Sequence, residues 1–199
     1  MRPKVKFCGM TDMLDIGKAE ELGVDFVGLI FVRSSPRSVT LEDATYLRNE
    51  ITGAKTVGVF MNMPPERINK YCKKLHLDYA QLHGKPDIEK CRKITTPVIQ
   101  AFRGVPDMKV AEAFLKICPY ILIDKADGEN EADFDAISEL PESIRSKLFL
   151  AGGLDPRNVR KAVDKVQPFA VDCARGIETK PGKKDPKKMQ AFIYNLLKL

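Results

Sequence analysis

The residues able to do chemistry in this chain stand where short apolar runs end. Cys8 closes Lys4–Cys8, and Asp124 closes Tyr120–Asp124. Each has an inert reading. Most cysteines behave as small buried hydrophobes, and an aspartate after an apolar run is as readily a cap as an acid. Lys6 gives Cys8 a second reading. Strand side chains alternate faces, so Lys6 shares the face of Cys8. A cation beside a thiol lowers its pKa and enlarges the thiolate fraction. Asp124 in a partly desolvated site would hold a proton for general-acid work. The two groups come from separate segments, which suits an acid and a base acting on two sides of one small substrate.

The other polar positions suit anionic groups. Gly152-Gly153 lets the backbone approach a ligand, and a helix starting at Asp155-Pro156, with Asp155 as N-cap, offers N–H groups to an anion. Arg175-Gly176 follows Asp172-Cys173 and suits a phosphate in the same way. The inert reading of both is a pair of tight turns. Arg37, in Ser34-Ser35-Pro36-Arg37-Ser38, is either an exposed loop residue or a planar fork for a carboxylate. His83, in Gln81-Leu82-His83-Gly84, can contact a substrate, but nothing supplies partner ligands for a metal. No metal and no cofactor are expected.

The elements that must carry these residues recur along the chain. Apolar, β-branched runs fall at Lys4–Cys8, Phe26–Phe31, Lys55–Phe60, Tyr79–Leu82, Val98–Phe102, Tyr120–Asp124, Leu148–Ala151 and Phe169–Asp172. Their spacing of roughly 20 to 30 residues is that of one strand-plus-helix unit. Helix starts are marked at Pro64-Pro65-Glu66, Asp155-Pro156 and Asp185-Pro186; the acidic stretch Glu129–Glu142 carries the weakest helical pattern. Eight such units predict an α/β fold, a single (β/α)8 TIM barrel over residues 1–199. An open doubly wound sheet would carry a glycine-rich phosphate loop after its first strand; Cys8-Gly9-Met10-Thr11 is none. In a barrel the strand C-termini form the active site, which is where the chemical residues stand.

Composition narrows the partners. With 199 residues, 44% of them hydrophobic, the chain is long enough for one buried core and short for two. No run approaches the length of a membrane span, so no membrane association is expected. Five cysteines without a CxxC motif read as reduced thiols in the cytoplasm. The net charge of +6 suits small anionic substrates. The densest basic stretch, Lys180, Lys183, Lys184, Lys187 and Lys188, has no aromatic interleaved for base stacking. It reads as solvated surface around the last loop and helix, so no nucleic-acid partner is expected.

In order along the chain, Lys6-Phe7-Cys8-Gly9-Met10-Thr11, Val27–Phe31 with Ser35-Pro36-Arg37, Val57–Asn62, Gln81-Leu82-His83-Gly84, Ile123-Asp124, Ala151–Leu154 with Asn158-Val159, and Asp172–Glu178 followed by Pro181–Asp185 resemble the phosphoribosylanthranilate isomerases of tryptophan biosynthesis. That resemblance implies a cofactor-free Amadori rearrangement of a small phosphorylated substrate, by a monomer or homodimer. It makes Asp124 the acid that protonates the furanose oxygen and Cys8 the base at the neighbouring sugar carbon. It gives Arg37 the anthranilate carboxylate and places His83 and Asp172 in the pocket, with Lys6 beneath Cys8 as a further expected contact. Gly152, Gly153, Arg175 and Gly176 become the phosphate site. Two stretches depart from the family pattern. The glycine-rich segment after the acid is replaced by Lys125–Ala132, leaving only Phe134-Asp135, and the two serines before Gly176 are Ala174 and Arg175. A paired-aspartate sugar isomerase is disfavoured by Cys8. The remaining alternatives are another phosphosugar enzyme or a silent phosphometabolite-binding barrel.

Overall fold

A computed structural model describes residues 2–197. Eight parallel strands close into a barrel in sequence order: β1 (Lys4–Cys8), β2 (Phe26–Ile30), β3 (Lys55–Met61), β4 (Tyr79–His83), β5 (Val98–Arg103), β6 (Tyr120–Asp124), β7 (Leu148–Leu150) and β8 (Ala170–Cys173). The last strand pairs with the first, Lys6 opposite Asp172. The helices between them are α1 (Met13–Glu21), α2 (Leu41–Asn49), α3 (Pro65–Leu75), α4 (Ile88–Arg92), α5 (Met108–Leu115), α6 (Phe134–Ser138), α7 (Glu142–Arg145) and α8 (Val159–Val166). A hairpin of β9 (Glu178–Lys180) and β10 (Lys183–Lys184) precedes α9 (Pro186–Leu197).

Strands covered on both faces need apolar side chains on both. Val27, Leu29, Ile121, Ile123 and Val171 face the helices. Phe26, Val57, Ile99, Leu122, Phe149 and Ala170 fill the inside. Aromatics collect where the strands begin. Tyr120 stacks on Phe169 at 4.5 Å, and Phe26 meets Phe149 edge-on at 5.0 Å. This plug is apolar and leaves the polar end of the barrel at the strand C-termini. The lower rim repeats one device. Asp25, just before β2, accepts from Val5 N–H (2.9 Å) and Lys4; Asp78, just before β4, accepts from Thr56 N–H (2.8 Å) and Lys55. A carboxylate thereby satisfies an N–H at the start of the preceding strand.

Two helix expectations are corrected. α8 begins at Val159, not at Asp155. The Asp155 carboxylate accepts from the N–H groups of Arg157 (2.7 Å) and Asn158 (3.2 Å), and Asn158 Oδ1 accepts from Asp155 N–H (2.8 Å). This reciprocal pair is a capping box, and its turn leads into the regular helix through Val159 N–H on the Asp155 carbonyl at 3.1 Å. The acidic stretch forms α6 and α7 rather than one helix, split around Leu140-Pro141, because proline cannot continue the first helix's hydrogen bonds. Asp185 behaves as read, accepting from Lys187 N–H at 2.9 Å at the start of α9.

Candidate active site

The wall formed by β8, β1 and β2 is charged and buried. Lys6 is fully buried, and its Nζ donates to Asp172 at 2.9 Å. Cys8 lies one step nearer the mouth, 5% exposed. β2 makes room with Gly28. A Cβ there would stand 2.7 Å from Cys8 Sγ and 3.2 Å from Lys6 Nζ, so any other residue would push the thiol or the ammonium aside. Burial raises the Cys8 pKa above its usual value; Lys6 pulls it down, and Asp172 works against Lys6. The net direction is upward. Lys6 acts in the expected direction, but its ammonium is shared with a carboxylate and does not repay the desolvation of a thiolate. Lys6 itself stays charged, because Asp172 and Cys8 outweigh its burial. It lies beneath the cavity and reaches a ligand only through those two neighbours.

Above this wall Arg37 does present a fork, and Glu178 fills part of it. Nε and Nη2 donate to the two carboxylate oxygens at 2.8 and 2.6 Å. Lys184 joins the same carboxylate at 3.0 Å and also donates to the carbonyls of Cys8 (2.7 Å) and Ala174 (3.1 Å). Lys184 is 1% exposed. Its neighbour Lys183 donates to Asp15 at 3.0 Å, and Lys188 to the Glu178 carbonyl at 2.6 Å. The basic stretch is therefore not one solvated surface. Lys183 and Lys184 tie the hairpin to the body of the barrel, and Lys188 ties the start of α9 to the hairpin.

The opposite wall is more open. Asp124 closes β6, and one of its oxygens accepts from Lys125 N–H at 2.8 Å. Arg103, opposite Asp124 in register, pairs with Asp127, and Lys125 Nζ donates to the Glu129 carbonyl. Arg103 and Asp127 are 58% and 78% exposed, so this pair is wet. His83 sits at the end of β4, with Gln81 Nε2 and His83 Nε2 2.6 Å apart. Burial, with Lys6 nearby, lowers its pKa to about 4, so the imidazole is neutral at ordinary pH. Gln81 Oε1 is buried without a partner among the described residues, and Gln81 borders the cavity. Gln81 shares the inward face of His83, a placement that strand alternation makes legible although its residue type alone suggests no role.

The expected phosphate residues gather at the mouth. Gly152, Gly153, Arg175 and Gly176 border one cavity. Gly176 is required by close approach: a Cβ there would lie 2.0 Å from the Leu154 carbonyl. Arg175 is exposed at the cavity edge. The N–H groups of Asp155, Arg157 and Asn158 are engaged in their own turn, so an anion would meet the glycine turn and Arg175 rather than a helix start at Asp155. The replaced sixth loop packs onto this turn, with Ala132 N–H donating to the Gly152 carbonyl at 3.0 Å.

The cavity measures about 470 Å³, and Cys8, Arg37, His83, Asp124, Asp172 and Arg175 all border it. A thiol and a carboxyl thus face one space from β1 and β6, with cationic groups around its edge. The fold and site define a class, the β/α-barrel enzymes that perform acid–base chemistry on small anions. The model of the N-(5'-phosphoribosyl)anthranilate isomerase family matches residues 5–195, and the chain belongs to that family. The isomerase of Thermotoga maritima is 40% identical over 96% of this chain and 97% of its own length. That of Listeria monocytogenes is 37% identical over 95% and 96%. Among solved structures, the Thermotoga maritima isomerase superposes with a TM-score of 0.85 at 38% identity, covering 98% of both chains. A phosphoribosyl anthranilate isomerase in complex with reduced 1-(o-carboxyphenylamino)-1-deoxyribulose 5-phosphate superposes with a TM-score of 0.81, also at 38% identity and 98% coverage of both.

Proposed function

We propose that this single barrel domain converts N-(5'-phosphoribosyl)anthranilate to 1-(2-carboxyphenylamino)-1-deoxyribulose 5-phosphate in tryptophan biosynthesis, with Asp124 as acid and Cys8 as base. The observation that carries the assignment is the placing of these two groups on different walls of one cavity. Asp124 protonates the furanose oxygen, the bond from that oxygen to the anomeric carbon breaks, and a Schiff base forms to the anthranilate nitrogen. Cys8, as thiolate, removes the proton from the adjacent sugar carbon, giving an enolamine that tautomerises to the ketone. Burial disfavours the thiolate at rest, and Lys6 is the group that makes it accessible.

Arg37 takes the anthranilate carboxylate with the guanidinium donors that Glu178 leaves free. The phosphate lies against Gly152, Gly153, Arg175 and Gly176, where Arg175 supplies charge in place of the family's serine hydroxyls. His83, held neutral, and Asp172 contact the sugar. The protein acts on a small phosphorylated molecule as a monomer or homodimer, and its five free cysteines fit a reducing cytoplasm. No helix among the described residues is long and apolar enough to cross a membrane.

The test is a fluorescence assay with phosphoribosylanthranilate generated in situ, run on wild type and Cys8→Ala. Decay of the anthranilate signal with wild type alone is the expected result. A wild type as inert as the variant would overturn the assignment and move suspicion to the altered sixth loop.

A further inference from the structure

Glu178 and Lys184 touch no substrate in the mechanism above, yet they are among the most buried charged groups of the molecule. Both sit on the hairpin that follows the barrel. A guanidinium is planar, so two hydrogen bonds to one carboxylate fix both its plane and the edge it turns away. Glu178 makes those two bonds. It is itself held by Lys184 Nζ at 3.0 Å and by Gly182 N–H at 3.2 Å. An ammonium has three protons, and Lys184 places all three, on Glu178 and on the carbonyls of Cys8 and Ala174. The hairpin is anchored in turn on the first loop. Thr11 Oγ1 donates to the Gly182 carbonyl at 2.5 Å, and Lys184 N–H donates to the buried Asp15 at 2.8 Å.

Charge supports a second role. Arg37 and Lys184 are two largely buried cations sharing one carboxylate. Where water is scarce an uncompensated charge is costly, and a second carboxylate entering beside Arg37 balances the group. We infer that Glu178 and Lys184 are positioning residues: Glu178 aims the free edge of Arg37 at the carboxylate of the substrate, and Lys184 ties that aim to the strand that carries Cys8. The hairpin thereby sets the preference for an aryl group bearing a carboxylate. This inference rests on the proposed role of Arg37.

The experiment compares two inhibitors, reduced carboxyphenylamino-deoxyribulose phosphate and its phenylamino counterpart lacking the carboxylate. Wild type should prefer the first. Arg37→Ala tests the underlying reading: it should abolish the preference, and an equal loss of both ligands would show that Arg37 does not hold the carboxylate. Glu178→Gln keeps the shape and tests the inference. It should lower the preference at least about tenfold, equivalent to about 1.4 kcal/mol, while affinity for the phenylamino ligand stays within about twofold. A purely structural role would weaken both ligands together. If Arg37→Ala loses the preference while Glu178→Gln retains it, the positioning role of Glu178 is overturned. Should Glu178→Gln not fold, Glu178→Asp keeps the charge on a shorter arm and is read by the same ratio, a retained preference again overturning the inference. Lys184→Gln should raise KM and lower kcat together, because it loosens both Arg37 and the Cys8 strand; an unchanged kcat overturns the second half.

Discussion

The two walls of the cavity are built by opposite means. On the side of the base, Lys6, Asp172, Glu178, Lys184 and Asp15 are buried or nearly so, and each charge meets a partner within about 3 Å. On the side of the acid, the salt bridge next to Asp124 joins two side chains that are both more than half exposed. The thiol is a poor base in an apolar setting, so its wall must supply fixed charge. A carboxyl acid needs less support and can stand at a strand end beside a solvated loop. It follows that removing a buried cation of the first wall should damage fold and activity together, whereas substitutions on the second should separate the two.

The largest effect on stability should come from Lys184→Met, which leaves two carbonyls and a carboxylate short of a donor. Breaking a buried pair from one side costs about 3–5 kcal/mol, read as a lowered midpoint in urea; a loss below about 1 kcal/mol would show that the wall is not held by charge. Cys8→Ala and Asp124→Asn should each lower kcat at least about 100-fold, the low end for general acid–base catalysis, with the fold intact by circular dichroism. Near-wild-type turnover in either variant removes that residue from its role.

His83 gives a pH test. Its folded pKa of about 4 lies below the ordinary 6.5. Between those values the unfolded chain binds the proton and the folded one does not, so stability falls as pH falls through that window. Between pH 6.5 and 5 wild type should lose about 1.5 kcal/mol more than His83→Gln; parallel curves would place the imidazole in water. Asp172→Asn should move the Cys8 titration downward, since Asp172 opposes Lys6, as followed by thiolate absorbance near 240 nm against a Cys8→Ala control. The smallest effect should be Arg103→Ala, below about 1 kcal/mol because the pair is exposed. A larger loss would mean that the acid wall is less open than its exposure implies.

The barrel was legible because its strands are short apolar runs at even spacing, and the site because those runs end in polar residues. Cys8 and Asp124 were located from that rule. Less legible was everything decided by partners far along the chain. Lys184 and Glu178 look like surface residues until the hairpin folds back on the Cys8 strand. Lys6 shares a face with Cys8, but the burial that raises the thiol pKa, and the partner Asp172 that offsets Lys6 from the other end of the sequence, show only in the folded barrel. Asp155-Pro156 is a sound helix-start signal locally. Asn158 completes it with a return bond to Asp155, and the regular helix follows only from Val159.

The hairpin also has a consequence for the order in which the molecule is made. The Lys184 side chain that secures the Cys8 carbonyl is added 176 residues after Cys8. During synthesis the thiol wall lacks Asp172, Glu178 and Lys184 until those residues have been added, long after Cys8. The wall around Cys8 is thus completed late, and a partly synthesised chain holds the thiol without the charges proposed to set it to work.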